Sequence, residues 1–306
     1  MKKRLKINSS NGVDKLNVIL WEVENPVGIL QIAHGMIEYI DRYDRFARFM
    51  NEQGFVVVGN DHLGHGDTAA NDDDLGYMNG DRVDELIIKD LHRVSVAVKK
   101  RYKDIPFFLM GHSMGSFLAR RYAMSYGDEL SGLIAMGTGE DSALSTSIGK
   151  VLVSINSLIF GERHRSKFLE AAMLGRYNLK FLKEGSSRSW ISKNVENQEQ
   201  SGADKYCSYM FTNKGYKMLL NTLKYISNPM HVCLIPDDLP VLFISGADDP
   251  VGNFKKGVDL AALRMMDSGV SDVEITFYEE LRHEILNEEE YELVHLDILD
   301  WIKLHM

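Results

Sequence analysis

Gly111-His112-Ser113-Met114-Gly115 fits the pattern G-x-S-x-G. A serine hydroxyl is a poor nucleophile at its free pKa and attacks only when a base removes its proton. Flanking glycines suit such a serine to a sharp strand-to-helix turn, where the helix N-terminus adds positive dipole and free N–H groups. The base should come from a loop beyond a later strand. Of the ten histidines, His283 meets that condition, since it follows the apolar run Val273 to Tyr278 and precedes the last amphipathic segment. Chain order Ser…Asp…His then asks for a carboxylate between the two, also at a strand end. Gly246-Ala247-Asp248-Asp249-Pro250-Val251 offers two. Asp249 is chosen because Pro250 forces extended or turn geometry on the residue before it. Its role is to hold the histidine tautomer and stabilise the imidazolium.

Attack on an acyl carbonyl creates an oxyanion, which needs two N–H donors already in place. Met114, next after the serine, supplies one. Met36, in the loop His34-Gly35-Met36 after an early strand, is the candidate for the other. Asp61-His62-Leu63-Gly64-His65-Gly66-Asp67 has some look of a metal site. Its histidines lie in a glycine-bearing loop rather than at i, i+4 on a helix, so no metal is expected. A rigid loop beneath the site, with Asp61 tying backbone N–H groups, is the reading preferred.

The elements that position these residues can be traced in order. Strands are expected at Leu16–Val23, Gly28–Ala33, 55–58, 107–110, 133–136, 241–245 and 273–278. Helices are expected at about 42–53, 83–102, after Gly115, and at about 289–304. Short apolar runs alternating with amphipathic ones predict a mainly parallel sheet covered by helices on both faces. The rhythm breaks between Met136 and Pro240. Residues 139–237 are read as an inserted helical cap, and 1–138 with 238–306 as the α/β core. Within the cap, the apolar stretch Val151 to Phe160 is expected to bury its face, with the basic residues Arg163, His164, Arg165 and Lys167 beyond it. An interfacial or tunnel-lining helix that admits lipid, with the basic residues near a phosphate headgroup and transient contact with membrane surfaces, is the second reading of this stretch.

The chain has 306 residues, with 35 Lys+Arg against 44 Asp+Glu, a net charge of −9. An acidic chain repels phosphate backbones, so no nucleic-acid partner is expected. Two cysteines, Cys207 and Cys233, make no disulfide framework. The basic start Met1 to Lys6 lacks the apolar core of a signal peptide. A cytoplasmic protein is the expectation.

Taken together, these segments resemble the α/β-hydrolase superfamily, and within it the monoacylglycerol lipase and lysophospholipase family (serine aminopeptidase S33-like). The matching pieces are His34 to Glu38, Asp61 to Gly66, Gly111 to Gly115, Gly246 to Val251 and Arg282 to Glu288. The resemblance implies a cofactor-free serine ester hydrolase. Ser113, Asp249 and His283 form its triad, Met36 and Met114 its oxyanion donors, and a cap covers its acyl-binding tunnel. Esters of monoacylglycerol or lysophospholipid are the expected substrates. Short or aromatic esters, a proline-iminopeptidase-like activity, and a silent binding protein on the same fold are the alternatives.

Overall fold

The computed structural model describes residues 1–140 and 143–306. Eight strands form one sheet: β1 (Lys2–Asn8), β2 (Lys15–Trp21), β3 (Gly28–Ala33), β4 (Phe55–Asn60), β5 (Phe107–His112), β6 (Gly132–Met136), β7 (Val241–Gly246) and β8 (Val273–Tyr278). Their spatial order is β1-β2-β4-β3-β5-β6-β7-β8. β1 and β2 run antiparallel, as do β2 and β4, and every later pairing is parallel.

Parallel strands need crossovers, and helices supply them. α1 (Asp44–Glu52), α2 (Val83–Arg101) and α3 (Met114–Tyr126) join the first strands. α4 (Ala143–Phe160), α5 (Lys167–Leu174), α6 (Val195–Ala203), α7 (Asn213–Ile226) and α8 (Pro229–Val232) lie between β6 and β7. α9 (Lys256–Asp267) and α10 (Tyr291–Leu304) complete the chain. Among the described residues the interval between β6 and β7 holds no strand.

The central strands read as continuous apolar runs because both sheet faces are covered. Successive residues alternate between two cores. In β5, Phe107 and Leu109 pack with α2 and α3, while Phe108 and Met110 pack with α1 and α10.

Three expectations need correcting. β1 was not foreseen: in Lys-Lys-Arg-Leu-Lys-Ile-Asn only Leu5 and Ile7 are apolar, too few for a strand signal. It is an edge strand, and its basic side chains pair with carboxylates such as Asp67 and Glu22. Charge on an edge guards against further strand pairing. The helix expected from Arg42 begins with a 3₁₀ turn (Ile40–Tyr43) and is α-helical only from Asp44. Third, α4 does not bury its large apolar residues. Thr146, Gly149 and Val153 face inward, where a Cβ on Gly149 would stand 3.1 Å from Leu220 and Met173. Leu144, Ile148, Val151, Ile155 and Leu158 face solvent, Leu158 being 87% exposed.

The first turn of α3 presses on the ends of β3 and β5. A Cβ on Gly115 would lie 2.0 Å from the Ala33 carbonyl oxygen, and one on Gly111 would lie 2.2 Å from the Gly115 carbonyl oxygen. Backbone atoms cannot give way as side-chain tips do. Gly115→Ala is therefore expected to cost about 3 kcal/mol, the upper end of overpacking penalties. Thermal unfolding should show a Tm lower by about 6 °C or more. An unchanged Tm would contradict this packing.

Candidate active site

Ser113 sits between β5 and α3 at φ 54° and ψ −122°. A non-glycine residue in that region is strained by roughly 1–3 kcal/mol and persists only where its surroundings enforce it. The enforcement is visible. The Ser113 N–H donates to the Met136 carbonyl at 2.9 Å, and its own carbonyl accepts from the Ser116 N–H at 2.9 Å and the Ser116 hydroxyl at 2.6 Å. The serine thus stands at the N-terminus of α3, with Met114 the first helical residue.

The loop after β3 lies against it. A Cβ on Gly35 would be 3.0 Å from the Ser113 Cβ, so only glycine permits this approach. Ile37, two residues on, also has positive φ, at 57°. Met36 and Met114 both line the cavity that Ser113 and His283 share.

Asp249 is completely buried. Its Oδ1 accepts the Val251 N–H at 2.8 Å, and its Oδ2 lies 2.9 Å from His283 Nδ1. That bond makes Nδ1 the protonated nitrogen and leaves Nε2 as the basic one. The adjacent Asp248 turns outward to Lys180 at 2.6 Å. Trp190 lies over the His283 ring at a centroid distance of 5.2 Å. The structure therefore brings together all five residues singled out in the sequence.

Three buried histidines lie beneath the loop after β3. The His34 and His62 rings are 4.1 Å apart, and His34 and His65 are 5.1 Å apart. His34 Nε2 accepts the His62 N–H at 2.9 Å, so its Nδ1 is the nitrogen that donates to the Gly35 carbonyl, 2.8 Å away. The other two rings contact carbonyls at His34 and Leu63. Burial, joined by the neighbouring imidazole, pushes His62 down to about 3, and burial pushes His65 down to about 4. Asp61 accepts N–H groups of Ile40, Asp67 and Asn17, yet burial pushes it up to about 6.

The sequence reading assigned no role to Glu38, Arg42 or Glu284. All three are largely buried beside the site, with Arg42 on Glu284 at 2.8 Å and on Glu38 at 3.2 Å. The available signal was position: Glu38 lies two residues after Met36, and Glu284 directly after His283.

The cavity measures about 600 Å³, in the range of small-molecule sites. Its wall is largely apolar, including Phe117, Leu174, Ile191, Leu219 and Val251, with Lys167, Glu170 and Arg188 among its polar members. Of Arg163, His164, Arg165 and Lys167, only Lys167 reaches it. Arg163 binds Asp74, and Arg165 binds the carbonyls of Asp73 and Leu75.

The family model for serine aminopeptidase, S33, matches residues 24–290. A monoacylglycerol lipase of Mycolicibacterium smegmatis is 24% identical over 98% of this chain and 97% of its own length. A phospholipase of Bacillus subtilis is 26% identical over 89% of this chain and 93% of its own. A thermostable carboxyl esterase of Bacillus coagulans, solved with glycerol, superposes with a TM-score of 0.90 at 27% identity, covering 99% of this chain and 98% of that one.

The buried histidines make stability pH-dependent. Free histidine titrates near 6.5, so below that value the unfolded chain takes protons that folded His62 and His65 refuse. Their contribution is present above pH 6.5 and is lost as pH falls toward about 4. Asp61 works in the opposite sense between about 4 and 6 and offsets part of the loss. Urea midpoints should fall between pH 6.5 and 4.5, and His65→Gln should make the slope shallower by about one proton. An identical slope in the variant would contradict this account.

Proposed function

Starting from a chain that belongs to the serine aminopeptidase S33 family and has the α/β-hydrolase fold, we propose that it hydrolyses acyl esters of monoacylglycerol through an acyl-enzyme. The observation that carries this reading is the 2.9 Å contact between fully buried Asp249 and His283, on the wall of the cavity that also receives the strained Ser113. In this reading Ser113 Oγ attacks the acyl carbonyl and its proton passes to His283 Nε2. The N–H groups of Met36 and Met114 receive the oxyanion, and the alcohol leaves with the proton from His283. Water, activated by the same nitrogen, then releases the fatty acid. Asp249 holds the ring and balances its charge throughout.

The apolar wall suits an acyl chain. The relatives named lipase, phospholipase and carboxyl esterase all point to ester chemistry. A neutral headgroup is preferred because Arg163 and Arg165, just before α5, are already committed to the loop at 73–75. Lysophospholipid is the second reading, favoured by Lys167 and Arg188 on the cavity wall. The outward apolar face of α4 is the proposed surface for transient contact with lipid. No helix among the described residues is long and apolar enough to cross a membrane.

Ser113→Ala should abolish labelling by a fluorophosphonate probe and lower kcat by about 10⁴-fold or more. Asp249→Asn should cost about 10⁴ in kcat, since the histidine would lose its tautomer control. A panel of monoacylglycerols, lysophospholipids, short esters and aminoacyl amides ranks the substrates by kcat/KM. Wild-type protein that neither labels nor turns over any ester would sink the proposal. Preference for lysophospholipid, lost in Lys167→Ala, would move it to the second reading.

A further inference from the structure

His112, the residue before Ser113, has both ring nitrogens engaged. Nε2 lies 3.2 Å from the His283 carbonyl oxygen, and Nδ1 lies 3.0 Å from Glu38 Oε1. A carbonyl oxygen only accepts, so Nε2 must carry a proton. Glu38 Oε1 also receives the Gly35 N–H and the Tyr43 hydroxyl, and Oε2 receives Arg42. A carboxyl group collecting donors on both oxygens is ionised, so Nδ1 must donate to it as well. A ring donating from both nitrogens is an imidazolium.

Charge counting leads to the same state. Glu38 and Glu284 are buried carboxylates, and Arg42, bidentate on Glu284 at 2.8 Å to each oxygen, is the guanidinium between them. With a neutral His112 this cluster carries one uncompensated buried negative charge; with a charged His112 it is neutral. An unpaired buried charge is strongly unfavourable. The groups facing the ring are Glu38, Arg42 and Tyr43 from the segment after β3, and His283 with Glu284 from the segment after β8. His34, beyond Gly35, stays neutral. Burial alone would draw His112 down, but the Glu38 bond and charge, then Glu284 and the His283 carbonyl, hold it above the ordinary histidine value.

We propose that His112 is a standing imidazolium and a positioning residue. It ties the loop of Met36, through Glu38 and the Gly35 N–H, to the loop of His283, and so holds donor and base in register across Ser113. The role in turnover rests on the ester-hydrolase reading above. The protonation state does not.

Two measurements test it on the full chain. In ¹⁵N-labelled wild-type protein at pH 7.5, NMR should show both His112 ring nitrogens protonated. A ring with one bare nitrogen overturns the proposal, whatever the enzyme's activity. The second uses His112→Asn, which restores only the Glu38 bond, and His112→Gln, which restores only the bond to the His283 carbonyl. Both should lower kcat about 10–100-fold, as expected for slight misplacement, with KM within about threefold. Because a raised group is lost as pH climbs through its folded value, wild-type kcat should decline on the alkaline side. That limb should be absent from both variants. Variants that keep the limb and the wild-type kcat overturn the positioning role.

Discussion

At the crossing of α3 over the end of β3, the backbones of Gly115 and Ala33 approach so closely that a methyl group would stand 2.0 Å from a carbonyl oxygen. This approach swings the start of α3 back over the sheet and forces Ser113 into positive φ. It also brings the loop after β3 to the same place, because β3 and β5 are hydrogen-bonded neighbours. Nucleophile, helix N-terminus and Met36 loop therefore share one cause. The strain at Ser113 is balanced by ordinary packing spread over two cores, which is how a fold of this size tolerates a locally unfavourable residue.

Positioning of the base depends on a different kind of bond. The segment carrying His283 follows β8, whose side chains are mostly half-buried. Leu281, Ile285 and Leu286 anchor the segment in the core, and polar contacts tie it to the helical interval. The Glu284 N–H donates to the Ile191 carbonyl at 2.8 Å, and Arg282 binds the Ser189 carbonyl at 2.6 Å. Glu288 accepts the Ser192 hydroxyl at 2.7 Å and the Lys193 N–H at 3.0 Å. The stretch that carries Trp190 and Ile191 into the cavity is thus tied to the segment that carries the base. A change in the helical interval will reach His283 through these bonds as well as through the binding wall.

The parallel strands and the site were legible because each rests on a local signal. Val56-Val57-Val58 and Leu133-Ile134-Ala135-Met136 are buried on both faces, and continuous apolar runs report that directly. Ser113, Asp249 and His283 each follow a strand, and glycine or proline neighbours mark the turns at Ser113 and Asp249. β1 was illegible because it is stabilised by main-chain pairing with β2 and by ion pairs, neither of which leaves a period in the side chains. The Glu38–Arg42–Glu284–His112 cluster was illegible for another reason: it joins residues up to 246 positions apart, from Glu38 to Glu284, and buried charges resemble surface charges until their partners are known.

α4 shows the limit of periodicity itself. Its large apolar residues recur at helical spacing, and the period establishes that they share a face. It does not establish what that face meets. The decision lies with the opposite stripe: Thr146, Gly149 and Val153 are small enough for α4 to lie close on α7, and a Cβ at Gly149 would already touch Leu220. Close approach of two helices favours small residues at the contact, so the bulky ones are displaced to the outside. The result is an apolar stripe on a chain of net charge −9. Net charge is a sum over the whole surface, and a helix of eighteen residues with one lysine hardly enters it.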